Sequence, residues 1–100
     1  MAAKAEDAVG LLKALASPPR LLILCTLLDG ECSVGALAAR LGLREATVSQ
    51  NLTVLRRERI VATRRDAQTI FYRLASDTVR SILTALAQEF CPAPADTGPQ

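Results

Sequence analysis

Apolar residues recur with a helical period as far as residue 58 and with a period of two just beyond it. A chain of 100 residues must therefore pass from helices to strands partway along a single small domain. Before the change, residues 4–16 place Val9, Leu12, Leu15 and Ala16 at helical spacing, with Leu11 and Ala8 beside them. Ser17-Pro18 reads as an N-cap followed by proline at the first helical position. The helix it opens, Pro18 to Leu28, is apolar nearly all round and should be the buried central one. Asp29-Gly30 ends it, and Ser33 caps a short helix with Val34, Leu37, Ala38 and Leu41 inward. Gly42 supplies a tight turn before a further helix over about 44–58, with Val48, Leu52 and Leu55 on its inner face. Two helices joined by so short a glycine turn are what a helix-turn-helix requires.

Beyond the change, residues 60–65 and 69–74 are β-branched or aromatic runs flanking Asp66-Ala67-Gln68, a hairpin with a basic tip. Ser76 caps a last helix with Val79, Ile82, Leu83, Leu86 and Phe90 on one side, and Cys91-Pro92 stops it. The expected fold is mainly α with a two-stranded β-wing, a winged helix-turn-helix in the order helix, helix, helix, helix, strand, strand, helix. Residues 4–91 should form the DNA-binding and dimerisation domain, and residues 92–100 a disordered tail. The first and last helices carry more apolar residues than one core of this size needs, so a homodimer through both is expected.

Charge is unevenly distributed. Residues 40–73 hold eight arginines against three acids, whereas the remainder holds four basic residues against seven acids. One third of the chain thus suits a polyanion, although a solvated arginine-rich face is the plainer reading. If the helix over 44–58 buries Val48, Leu52 and Leu55, its other faces carry Thr47, Ser49, Gln50, Asn51, Thr53 and Val54. Short amides and hydroxyls of this kind pair with base edges. Arg56, Arg57, Arg64 and Arg65 would flank such a helix as phosphate clamps, and Arg44 would add one at its start. Double-stranded DNA is the expected partner.

Composition excludes other classes. The chain has no histidine, which removes His-based metal sites, catalytic triads and His-dependent pH switches. Its three aromatic residues are too few for a stacking platform on single strands. With no Gly-rich phosphate loop and no paired carboxylates, only a thiol-dependent enzyme is conceivable; no cofactor and no enzymatic activity are expected. The longest apolar stretch, residues 21–28, falls short of the roughly 20 residues of a spanning helix. Met1–Asp7 carries acids and no hydrophobic segment, so a cytoplasmic, nucleoid-associated protein with no membrane partner is expected.

From Leu12 to Leu74 the sequence reads Leu-Lys-Ala-Leu-Ala-Ser-Pro-Pro-Arg-Leu-Leu-Ile-Leu, then Ser-Val-Gly-Ala-Leu-Ala, Val-Ser-Gln-Asn-Leu, and Arg-Arg-Asp-Ala-Gln-Thr-Ile-Phe-Tyr-Arg-Leu. These motifs resemble the ArsR/SmtB family of small dimeric winged-helix repressors of bacteria. The resemblance implies a dimer that blocks a promoter at a palindromic operator and releases it on meeting an inducer. Metal-sensing relatives carry two cysteines in a Glu-Leu-Cys-Val-Cys-Asp-Leu pattern; the matching residues 31–37 have Ser33 and Gly35 at those places. The three thiols and scattered carboxylates suit zinc poorly, and a soft metalloid such as arsenite is the metal-like inducer left open.

Cys25 in the second helix and Cys91 at the end of the last stand where the thiol- and persulfide-sensing branch of the family carries its pair. The resemblance implies that persulfides, polysulfides or oxidants bridge them as a disulfide or polysulfide. By itself Cys25 in an apolar helix reads as an inert small hydrophobe. Cys32, in the loop joining the second and third helices, matches neither pattern and is read as incidental. A regulator that is not thiol-gated and acts by displacing another silencer is the alternative. Three departures from the family pattern stand out. Arg44 replaces a common capping Ser, Asn51 a common His, and Arg59 a Gly after the recognition helix, where a left-handed residue is favoured.

Overall fold

The structure, a computed structural model, describes residues 2–90. Its elements are α1 (Ala2–Leu15), α2 (Pro18–Leu27), β1 (Cys32–Ser33), α3 (Val34–Leu41), α4 (Glu45–Arg57), β2 (Val61–Asp66), β3 (Thr69–Leu74) and α5 (Asp77–Phe90). The expected order of helices and hairpin is therefore present. Cys91 and residues 92–100 lie outside the described residues.

Capping side chains set the helix starts as expected. Ser17 Oγ accepts from Arg20 N at 3.5 Å, Ser33 Oγ from Ala36 N at 3.1 Å, and Ser76 Oγ from Val79 N at 3.1 Å. Gly42 closes α3 in the left-handed region, with φ 66. That single residue turns the chain from α3 into α4, the helix-turn-helix step.

The core lies where α2, α3, α4 and α5 converge on the root of the hairpin. Ile23, Leu24, Leu37, Val48, Leu52, Leu55, Val79 and Leu83 are buried there. No charged or polar side chain is buried among the described residues, so the core is held by apolar burial alone. Each large side chain so buried contributes on the order of 2 kcal/mol relative to exposure.

The structure settles which helix faces turn inward, and for α2 it changes the expectation. The inward face of α1 is Leu11, Ala14 and Leu15, whereas Val9 and Leu12 point outward at 48% and 53% exposure. α2 is not buried all round either, since Leu22 is 50% exposed. The α1–α2 corner at Ser17 bends the chain by 91°, so α2 can cover only one side of α1. Among the described residues no single helix is long and apolar enough to cross a membrane.

The sheet also differs by one strand. β2 and β3 pair antiparallel from Val61↔Leu74 to Asp66↔Thr69, and β1 adds to the free side of β3 through Cys32↔Tyr72 and Ser33↔Phe71. The sheet order is β1-β3-β2. Cys32 is thus a buried strand residue and not part of a loop, and Arg40 Nη1 donates to its Sγ at 3.7 Å.

Candidate nucleic-acid interface and thiol positions

α4 has three faces. Val48, Leu52 and Leu55 fill the core; Thr47, Asn51 and Val54 are half-buried along one flank; Ser49, Gln50, Thr53, Arg56 and Arg57 are exposed. The exposed face therefore offers hydroxyls and an amide in its middle and two guanidinium groups at its end. Arg56 and Arg57 lie in the last helical turn, where the helix dipole favours cations. Glu45 sits in the first turn, where it favours an anion. Arg44 occupies the N-cap with an extended backbone; its guanidinium has no acceptor to cap with, and the residue is exposed.

The hydroxyls and amides are not equally available. Thr53 Oγ1 donates to Ser49 O at 3.0 Å, a local bond that a competing acceptor can displace. Asn51 is engaged at both ends of its amide: Nδ2 donates to Thr47 O at 2.9 Å, and Oδ1 accepts from Arg20 Nη1 at 3.4 Å. Arg20 was not marked out by spacing or charge clustering, although it is the lone charged residue in the apolar run 18–28. Its Nε donates to Ala14 O at 2.6 Å and its Nη2 to Lys13 O at 3.4 Å, so it serves the C-terminal turn of α1 as well.

The wing carries Arg64 and Arg65 on β2, both exposed. Arg64 has a partner within the chain: it forks onto the Glu31 carboxylate, with Nε at 2.8 and 3.0 Å from the two oxygens and Nη2 on Oε1. The same guanidinium lies 4.7 Å from the centroid of the Phe71 ring, its cross-strand neighbour. The Arg64 hydrogen bond above all holds the Glu31 carboxyl below the usual carboxylate range; desolvation opposes it, and the charges of Arg64 and Arg73 add to the lowering. The pair raises Arg64 in turn. Arg65 makes no such pair among the described residues and is the more available cation of the two.

Of the thiols, Cys25 is half-buried on α2 and packs against the core. Cys91 lies outside the described residues. Among the described residues no group of three or more histidine, cysteine, aspartate or glutamate side chains is placed to hold a metal ion.

Residues 17–63 match the family model described as bacterial regulatory protein, arsR family. The chain is 50% identical over 91 residues to the biofilm growth-associated repressor of Agrobacterium fabrum, covering 91% of this chain and 78% of the relative. The transcriptional activator HlyU of Vibrio cholerae is 47% identical over 93 residues, covering 93% and 86%. The solved structure of reduced HlyU from Vibrio cholerae superposes with a TM-score of 0.87 over 92% of this chain and 97% of that one. A homodimeric winged helix-turn-helix DNA-binding domain from Mycobacterium bovis, 37% identical, gives 0.77 over 87% and 80%.

Proposed function

This chain belongs to the arsR family of bacterial regulatory proteins, and from that premise we propose that it is a homodimeric repressor released from palindromic operator DNA by reactive sulfur species or oxidants. It is a transcriptional regulator, as its named relatives are. The observation that carries DNA recognition is the exposed face of α4, where Ser49, Gln50 and Thr53 are offered between Arg44 at one end and Arg56 and Arg57 at the other. Arg65 extends the cationic edge onto the wing, and the half-buried Thr47 and Asn51 border the reading face. The outward Val9 and Leu12 of α1 and Phe90 of α5 supply the apolar surface for a dimer. A dimer would set two α4 helices about one duplex turn apart, and both must reach the groove together.

Thiol gating rests on Cys25 and Cys91. Its support is that α2, which carries Cys25, packs against α5, whose last residue Phe90 precedes Cys91 in sequence. One relative is also named by its redox state. A thiolate of the pair attacks the sulfane sulfur of a persulfide and displaces a thiol; the second thiolate then attacks the persulfidated cysteine, closing the bridge and releasing hydrogen sulfide. With diamide, the two thiols give two electrons and two protons to the azo bond. Either bridge would tie α2 to the end of α5 and change the spacing of the two α4 helices. Residues 4–91 act as the DNA-binding and dimerisation domain, in the cytoplasm.

A second reading is favoured by one relative being named an activator: a regulator whose binding ignores thiol state and which displaces another silencer. Fluorescence anisotropy on promoter DNA at fixed salt separates the two. It compares the reduced, persulfide-treated and diamide-treated protein, wild type and Cys25→Ser, with intact-mass spectra alongside. Affinity lost together with a Cys25–Cys91 bridge, and kept in Cys25→Ser, is the expected result. Equal affinity in every state overturns thiol gating and leaves the second reading.

A further inference from the structure

We propose that Arg20 is a positioning residue for the recognition helix, setting the roll of α4 through Asn51. The inference rests on the DNA-binding reading of α4. Apolar packing of Val48, Leu52 and Leu55 holds α4 against the core, but such contacts are non-directional and tolerate small rotations about the helix axis. The flank of α4 facing α1 is different. There an open cavity of about 310 Å³ separates α1 from α4, lined by Gly10, Lys13, Ala14, Arg20, Val54 and Glu58. The Arg20 guanidinium spans this gap. It holds the carbonyls of Lys13 and Ala14 on one side and Asn51 Oδ1 on the other.

Asn51 passes the constraint on. Its Nδ2 is bonded to Thr47 O, one turn earlier, so the amide cannot turn toward the solvent face without breaking two bonds. Ser49 and Gln50 lie between these two residues and are carried with them. Among the described residues this is the one side-chain hydrogen bond from α4 to another element. The planar fork of arginine is what allows one group to serve three acceptors in two helices; a lysine ammonium on a flexible stem does not fix that geometry. Arg20 therefore acts on DNA reading without touching DNA, and Asn51 serves orientation more than base contact.

The test uses the full chain, a duplex selected by the wild-type protein from a randomised pool, and a scrambled duplex of the same length. Anisotropy titrations at several salt concentrations compare wild type, Arg20→Gln, Arg20→Lys, Asn51→Leu and the Arg20→Gln/Asn51→Leu double variant. Each single variant is expected to bind the selected duplex about tenfold more weakly, with scrambled-duplex affinity and salt slope unchanged. The double variant should be no weaker than the weaker single one. Amide spectra without DNA should show shifts over residues 46–54 in Arg20→Gln, and thermal unfolding separates these effects from loss of fold. If Arg20→Gln fails to fold, Arg20→Lys, alone and combined with Asn51→Leu, carries the same affinity, salt-slope and amide-shift comparison.

Three results overturn the proposal. Equal loss on both duplexes with a slope shallower by about 0.9 would make Arg20 a phosphate contact. Additive losses in the double variant would make Asn51 a base reader independent of Arg20. Unshifted α4 amides would show that no link exists. A wild-type protein that prefers no duplex would overturn the DNA-binding reading itself, a failure distinct from unshifted amides.

Discussion

Arg59 adopts φ 62 at the end of α4, in the left-handed region where a Cβ is disfavoured. The sequence shows why this position matters: a residue there must turn the chain from helix into the Ile60–Val61 root of β2, and Arg59 N bonds to Arg56 O at 2.9 Å to do so. Arg59→Gly should stabilise the protein by about 0.5 kcal/mol, the relief of strain being offset in part by the freer unfolded chain; the urea midpoint measures it. Arg44 is the converse case, a cap position without a cap bond. Arg44→Ser should gain about 1 kcal/mol of stability by the same assay. It should also make the slope of log affinity against log salt shallower by about 0.9, if Arg44 meets a phosphate. Both residues were legible in sequence because capping and chain reversal are local chemistry. Arg20 was not, because its partners in α1 and α4 are joined to it only by the folded chain.

The elements were legible for the same local reason. A period of 3.6 or of two, or in α2 a Ser-Pro start followed by an apolar run, marks each helix and both hairpin strands over 6 to 14 residues, which is enough to be read. β1 has two residues and no period of its own; its pairing to β3 exists only once α3 and the hairpin are in place. The clasp between Glu31 and Arg64 was hidden likewise, since 33 residues separate its partners. It ties the segment before β1 to the wing, and it makes the wing pH-dependent. Because Arg64 lowers the folded carboxyl of Glu31, the stabilisation is present above the unfolded value of about 4.3 and is lost as pH falls through the lower folded value. Both groups are exposed, so the effect is small. Urea midpoints of wild type and Glu31→Gln should differ slightly at pH 7 and converge in acid; a difference that grows in acid would refute the sign. At neutral pH, Glu31→Gln should also bind DNA with a steeper salt slope, as Arg64 is freed for phosphate.

At the scale of the molecule, sequence composition pointed to surplus apolar surface on the first and last helices, and the structure locates it at Val9, Leu12 and Phe90, the last 75% exposed. What could not be read was which face of α1 turned inward, because that depends on the 91° corner with α2. Leu12→Asp should therefore shift the protein from dimer to monomer in sedimentation velocity and weaken operator binding by more than tenfold, with little change in far-ultraviolet circular dichroism. Unchanged sedimentation would place the dimer contact elsewhere. The molecule extends 44 × 40 × 21 Å, a plate about two helices thick. A plate this thin has room for one layer of core side chains, so a lone copy buries a smaller share of its surface than a larger domain does. Pairing would then supply part of the folding free energy, and that part scales with concentration. Inside a cell such a protein would set its own lower limit of abundance: copies too dilute to pair would open more often and meet proteases, so the stock of regulator would be trimmed by turnover as well as by synthesis.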